Sequence, residues 1–505
     1  MARTTRHFPF GGGLNEVTPP LSLKGGELYG VSNYEPGPKG GYQRIGGYER
    51  VDGQHSPADA DYWLVNFDAG TTAIAEGDEV TNVAGVPTSS DMVGEVLADA
   101  TVTSGDWATN DAAGYFYVTR VSNRVDPDYS DNDTLYVSAA SVATADGAAA
   151  ENGAILDADD TTFTQDAIET LRARISTVPG SGNMRGVWLF NGKKYAFRDN
   201  AGATACVMHE SSATGWTTVD LGATMAFTAG TDASDIGFTK GEVITGGTSG
   251  ATAVVVDMVV TGGDWTAGPP GTKTGTLYLK TVTSGPFQTE TITGGTSGTT
   301  ATGAAETTTT LLPGGKFEFV NENFYGATNL KGMYGCDGVN PGFMFTTYGF
   351  RQIPTGMATD TPIHVTEHKK HLFFAFPGGS VQHSPIGDPG NVWTPVLGAS
   401  EIGTGDEVTG FTVLPQDSLG IFNRNRIYVL YGTSSSDWNL TEFSDESGAI
   451  EWTIQRIGKP VYFDDRGLMD FNAVQAYGDF KNASFSEKIR KTLKTNKSRV
   501  INSIR

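Results

Sequence analysis

Between Ile402 and Phe463 the sequence alternates short apolar runs with turn residues. The runs are 408–414, 419–422 and 427–431, and the breaks are Pro415-Gln416-Asp417 and Asn423-Arg424-Asn425. Runs this short, split by Pro, Asn and Asp, read as antiparallel strands joined by tight turns. Three such strands make a small sheet that cannot cover both of its own faces. The rest of the chain therefore has to supply more sheets to pack on it. The 66 glycines among 505 residues, with only 18% charged, fit several turn-rich β domains rather than helical or disordered ones.

Further sheets are legible upstream. A first four-stranded unit reads as Gly186 to Phe190, the Asn191-Gly192 turn, Tyr195 to Phe197, Cys206 to His209, and Gly215 to Val219. A second spans Lys316 to Ile353, and a third starts at Ile363 with Leu372 to Phe376 at its centre. Four-stranded units in series are the pattern of a propeller. One helix is expected at 165–176. Thr164 is its N-cap, Ile168, Leu171 and Ile175 lie on one face, and Pro179-Gly180 ends it.

Two other segments resemble each other. Asp99 and Trp107 recur 158 residues later as Asp257 and Trp265, with no gap between. Each Trp is followed by an aromatic-rich strand, at Tyr115 to Val118 and at Leu277 to Leu279. Inside the second segment, Glu242-Val-Ile-Thr-Gly-Gly-Thr-Ser-Gly250 recurs as Glu290-Thr-Ile-Thr-Gly-Gly-Thr-Ser-Gly298, a strand and a glycine turn in each copy. The expected organisation is an extended N-terminal arm (1–62), an inserted β module (63–160), the helix with the first blade (161–226), and a second inserted module (227–306). The remaining blades and a basic C-terminal helix follow (307–505). The regularly placed Tyr29, Tyr34, Tyr42 and Tyr48 make the arm an ordered wrap rather than a loose leader.

The charge excludes some functions. At a formal −22 the chain is too acidic to grip nucleic acid by phosphate neutralisation, although a negative wall would let a polyanion slide past. Cys206 and Cys336 lie far apart and form no zinc spacing or disulfide framework. The N-terminus has no apolar signal core, and no apolar run reaches membrane-spanning length, which reads as a protein made in a cytoplasm.

No catalytic constellation stands out. His364-Val-Thr-Glu367-His368 fits the H-x-x-E-H zinc pattern, but that chemistry needs a helix. Here Pro362, Val365 and Thr366 favour strand, where the two His stand about 13 Å apart. The stretch reads as an exposed, charged turn ahead of a strand. The acidic stretches 126–133 and 157–160 lack EF-hand spacing and read as solvated loops. Gly247-Thr-Ser249-Gly-Ala251 misses the nucleophile elbow at its last position, and there is no P-loop. No catalytic, cofactor or metal residue is therefore assigned, and no enzyme activity is expected.

Several stretches, in order, carry a resemblance. They are Gly11-Gly12-Gly13-Leu14-Asn15-Glu16 with Asn33-Tyr34 and Gly46-Gly47-Tyr48, and Val178-Pro179-Gly180-Ser181-Gly182 through Arg185-Gly186-Val187-Trp188 to Tyr195-Ala196-Phe197-Arg198-Asp199-Asn200. Next come Asp406-Glu407-Val408-Thr409-Gly410 leading to Ile427-Tyr428-Val429-Leu430, then Gly458 through Phe463 to Gly467, and Ser486-Glu487-Lys488-Ile489. Together the chain resembles tail nozzle (tubular tail) proteins of short-tailed bacteriophages (podoviruses). The resemblance implies a mainly β fold: an irregular or incomplete propeller carrying the arm and the two inserted modules. It also implies a virion structural protein, made in the host cytoplasm and forming a homo-oligomeric ring, usually a hexamer. A tail adaptor would sit above the ring, fibres or spikes would dock at its side, and genome DNA would pass through without sequence-specific binding. The alternative reading is a receptor- or carbohydrate-binding tail protein, with aromatic platforms at Trp107 and Trp265.

Overall fold

A computed structural model describes residues 12–36, 42–46, 55–88, 91–121, 126–212, 215–268, 271–324, 326, 331–414, 417–471, 486–489 and 491–493. The fold is mainly β: an irregular propeller with two inserted β modules and an extended N-terminal arm.

Four sheets are four-stranded antiparallel meanders, each strand pairing with the next in sequence. Blade 1 is Met184–Phe190, Lys193–Asp199, Cys206–Ser212 and Gly215–Thr218. Blade 2 is Glu318–Glu322, Gly332–Cys336, Phe343–Phe345 and Phe350–Gln352. Blade 3 is His364–His368, His371–Phe376, Ser380–His383 and Ser400–Gly403. Blade 4 is Val408–Val413, Leu419–Asn423, Ile427–Tyr431 and Asn439–Ser444, one strand more than the sequence reading gave it. Among the described residues, blade 5 has three strands, Gln455–Ile457, Lys459–Asp464 and Gly467–Asp470.

Each pair of successive blades shares an apolar core. Phe190, Phe197 and Met208 of blade 1 meet Phe319 and Phe343 of blade 2, and Tyr334 and Met344 of blade 2 meet Leu372 and Phe374 of blade 3. Phe373 and Val381 meet Ile421 and Leu430, and Phe422 and Val429 meet Tyr462 and Met469. Both faces of a middle blade are thus covered, which is why His371–Phe376 is buried at every position. The first strands of blades 1 to 4 touch in succession, as inner strands around a propeller axis do. Cys206 and Cys336 are buried free thiols, and burial pushes Cys206 up to about 12.

The two modules are six-stranded closed barrels with one strand order. In barrel 1 the ring runs Tyr62–Gly70, Ala140–Ala145, Thr134–Val137, Glu79–Thr81, Val93–Val96, Ala112–Arg120 and back to the first. In barrel 2 it runs Ala223–Thr231, Thr300–Gly303, Glu290–Gly294, Val243–Gly246, Thr252–Gly262, Lys273–Thr283 and back. Each barrel bulges at the same place, between Phe67 and Gly70 and between Phe227 and Gly230. The Trp seats there. Trp107 stacks on Phe67 at 5.1 Å and Trp265 on Phe227 at 5.7 Å. A Cβ at Gly70 or Gly230 would lie 2.4 or 2.5 Å from the indole, so the bulge requires glycine.

Three sequence expectations change. The helix is Asp157–Ala173, starting eight residues before Gln165, and Leu156 rather than Thr164 precedes it. Its first turn is the acidic stretch read as a solvated loop, where carboxylates suit the positive end of the helix dipole. The arm pairs Gly13–Leu14 with Glu27–Leu28 and Tyr34–Pro36 with Tyr42–Arg44, yet Tyr29 and Tyr34 are exposed rather than packed. Tyr48 lies outside the described residues. At the C-terminus, Glu487–Ile489 is a short 3-10 turn docked on the arm, with Lys488 paired to Glu27 and the Thr492 N–H donating to Glu16. Residues 491–493 are helical, and most of the expected basic helix lies outside the described residues.

Candidate functional site

A group of charged and aromatic side chains forms where the first strands of blades 2 and 3 begin. His364 opens the first strand of blade 3, and Glu318 opens that of blade 2. The loop between blades 4 and 5 brings Glu451 and Trp452 to the same point. The His364 ring nitrogen Nδ1 lies 2.9 Å from Glu318 Oε2, which also accepts the Val365 N–H at 3.0 Å. Nε2 stands 3.4 Å from Glu451 Oε1, an ion-pair distance but long for a hydrogen bond. The Trp452 ring lies 4.8 Å from the imidazole, and Lys316 Nζ sits 4.6 Å from its centroid on a cation–π contact.

The electrostatics follow from that geometry. Burial alone would push the His364 pKa down. Glu318 and Glu451 outweigh burial and hold it up to about 9, so the ring is an imidazolium at neutral pH. Burial lowers the Lys316 pKa, with Glu451 and Glu318 opposing. Trp452 holds φ at +65°, a strained conformation for a bulky residue. Chemically the group is a clasp. Two carboxylates flank one imidazolium, and the loop after blade 4 is fastened across to blades 2 and 3.

A second cluster lies between blades 3 and 4. The Nδ1 atoms of His371 and His383 both meet the Ser384 carbonyl, at 2.6 and 3.0 Å. Trp438 Nε1 donates to His383 Nε2 at 3.0 Å, and the two imidazoles are 4.7 Å apart. His368 packs on Phe373 and Trp438. Burial pushes His368 and His383 down to about 4, and lowers His371 too, so these rings are neutral at pH 7.

The H-x-x-E-H stretch is therefore strand. His364 and His368 are not in an exposed turn but 1% exposed each, one in each cluster. The reason is a two-residue hairpin. Lys369 and Lys370 both take positive φ, +52° and +61°, which starts the strand at His364 and carries both His into the inter-blade core. Among the described residues no three of His, Cys, Asp and Glu are grouped to hold a metal ion. Sequence reasoning missed Lys316, Glu318, Glu451 and Trp452. They come from two separated segments, and only blade packing joins them to His364.

The other sequence candidates are absorbed locally. Asp126 pairs with Arg120, Asp133 accepts the Ser130 N–H of its own loop, and Asp131 accepts the Gly147 N–H of a neighbouring turn. The Thr248-Ser249 turn is held by Glu290, which accepts from both N–H groups and from Ser249 Oγ. The repeat returns the favour: Glu242 accepts from the Thr296 and Ser297 N–H groups and Ser297 Oγ. Each copy's carboxylate thus closes the other copy's turn, about a local two-fold axis on which Thr245 pairs with Thr293. Trp265 is buried and Trp107 half-buried in their barrels.

No known protein family matches the chain, and no curated protein matches it. Among solved structures, the extracellular domain of the putative hybrid two-component system BT3049 from B. thetaiotaomicron is 11% identical at a TM-score of 0.26, covering 61% of this chain and 36% of that one. Virginiamycin B lyase from Staphylococcus aureus is 13% identical at 0.22, covering 46% and 70%. The computationally designed Ika8 protein is 9% identical at 0.22, covering 59% and 86%. Likenesses this distant do not bear on what the chain does.

Proposed function

We propose that the chain is a structural protein of a short-tailed bacteriophage virion, forming the tail nozzle ring that extends the DNA-ejection channel and docks fibres or spikes. Its work is passive: it shapes and holds a conduit and catalyses nothing. It is made in the host cytoplasm and assembles beneath an adaptor. The order of the sequence stretches that resemble nozzle proteins prompts the reading.

The structural observation that carries it is an exposed aliphatic pair on the first strand of blade 1. Trp188 and Gly186 point to Phe319 of blade 2. Side chains alternate along a strand, so Val187 and Leu189 point the other way, and they are 57% and 56% exposed. Exposed aliphatic pairs on an inner strand need a partner, and a heterologous contact that closes makes a ring. The receptor-binding alternative loses its named platforms, because the indoles pack on Phe67 and Phe227. Imaging of a purified particle with this chain labelled tests the proposal. We expect a ring on the tail axis. A label at a fibre tip, or a single copy off the axis, ends it.

A further inference from the structure

Barrel 1 and the helix enclose a cleft of about 320 Å³. Its floor is aromatic. Phe163 stacks on Tyr117 at 3.8 Å, and Tyr115 meets Tyr117 edge-on at 5.8 Å. Its lip is Ile155 and Leu156, 51% and 61% exposed just before the helix. Its charges are both negative, Asp99 and Asp159. One Asp99 oxygen accepts the Glu76 N–H at 2.9 Å. An aromatic floor, an aliphatic lip and two carboxylates are complementary to a chain that is both basic and aliphatic. A Lys or Arg lays its stem along rings and sends its charge to carboxylates.

This protein carries one segment of that chemistry. Residues 488–505 hold seven Lys or Arg and no acid, in a chain of net charge −22. Lys488 and Thr492 are anchored on the arm by Glu27 and Glu16. Beyond them, 494–505 contains Lys494, Lys497, Arg499 and Arg505 interleaved with Val500, Ile501 and Ile504. Twelve residues reach at most about 40 Å when extended. We infer that this cleft receives the basic C-terminal segment of a second copy of the chain. That the recipient is a second copy rests on the ring reading, in which one patch must meet a different patch on the neighbour. The inference goes beyond that reading by naming both patches.

Disulfide trapping on the full chain tests it. Ala98→Cys marks the cleft and Ser503→Cys marks the tail, in separate chains, and the native thiols Cys206 and Cys336 are buried. The expected result is a mixed cross-linked dimer from the two chains. Asp159→Lys should lower its yield about tenfold, and added salt should lower it too. Tyr115→Ala gives a second variant should Asp159→Lys fail to fold. No inter-chain cross-link above an Ala108→Cys control overturns the inference. So does a cross-link that forms only within one chain carrying both cysteines. If the particle image still shows a ring, the nozzle reading stands and only this contact is wrong.

Discussion

Glu242 and Glu290 are buried carboxylates with no cation beside them in their hydrogen-bond sets. Each accepts three bonds from the other copy's turn and one from its own approach, the Thr239 or Gln288 N–H. The Ser249 hydroxyl and these amides hold the Glu290 pKa down to about 2. The stability this contributes is present above pH 4.5 and lost as pH falls toward 2. Glu242→Ala leaves several turn donors without their acceptor and should cost about 2–4 kcal/mol by thermal or urea unfolding. A change within error would show that water replaces the carboxylate. The repeat itself was legible from the spacing, but the exchange of carboxylates was not. It depends on Ile244 pairing with Gly294 and Gly246 with Ile292, which no local pattern encodes.

At the scale of elements, the blade 3–blade 4 seam carries three neutral histidines. The groups facing them are Asp417 and Lys369 beside His368, the Ser384 carbonyl and Ser400 hydroxyl at His371 and His383, and the Trp438 indole. For His368 and His383, a folded-state pKa near 4 against about 6.5 unfolded means the unfolded chain takes up protons first. Stability from these rings is therefore full above pH 6.5 and falls as pH drops toward 4, by about 3 kcal/mol for a shift of this size. His364 runs the other way: its contribution is full below 6.5 and fades as pH rises through about 9. The melting temperature should drop between pH 7 and pH 5, and His368→Leu should flatten that slope. Parallel curves for the two proteins would refute the assignment. The blades were legible because runs such as Leu372 to Phe376 are long and unbroken. The histidines were misplaced because Lys369-Lys370 does not look like a hairpin loop: neither residue is the Gly, Asn or Asp that usually takes positive φ.

At the scale of the molecule, barrel 2 is fastened to the propeller by a buried charge. Arg351 of blade 2 reaches Asp257 of barrel 2 and the Gly390 carbonyl, with its guanidinium 4.5 Å from the Tyr278 ring, and Lys240 meets Asp257 at 2.8 Å. Arg351→Met should cost about 3 kcal/mol by exposing a half-paired buried carboxylate, and should raise protease sensitivity at the barrel 2 junctions. Unchanged cleavage would mean the barrel is held by its other contacts. The matching Asp99 of barrel 1 accepts the Glu76 N–H, and that barrel leans on the helix instead, with Arg174 between Glu79 and Glu95. The 158-residue offset made the modules readable as relatives. The docking of each was not readable, because Asp99 and Asp257 occupy equal places in the repeat and meet different surroundings.

The exchanged carboxylates of barrel 2 also set a schedule during synthesis. The Thr248-Ser249 turn waits for Glu290, 42 residues after Thr248, and Glu242 has no partner turn until Ser297 has been made. Neither half can finish alone on the ribosome. The two halves should become resistant to hydrogen exchange together, in one late step, rather than in the order in which they are translated.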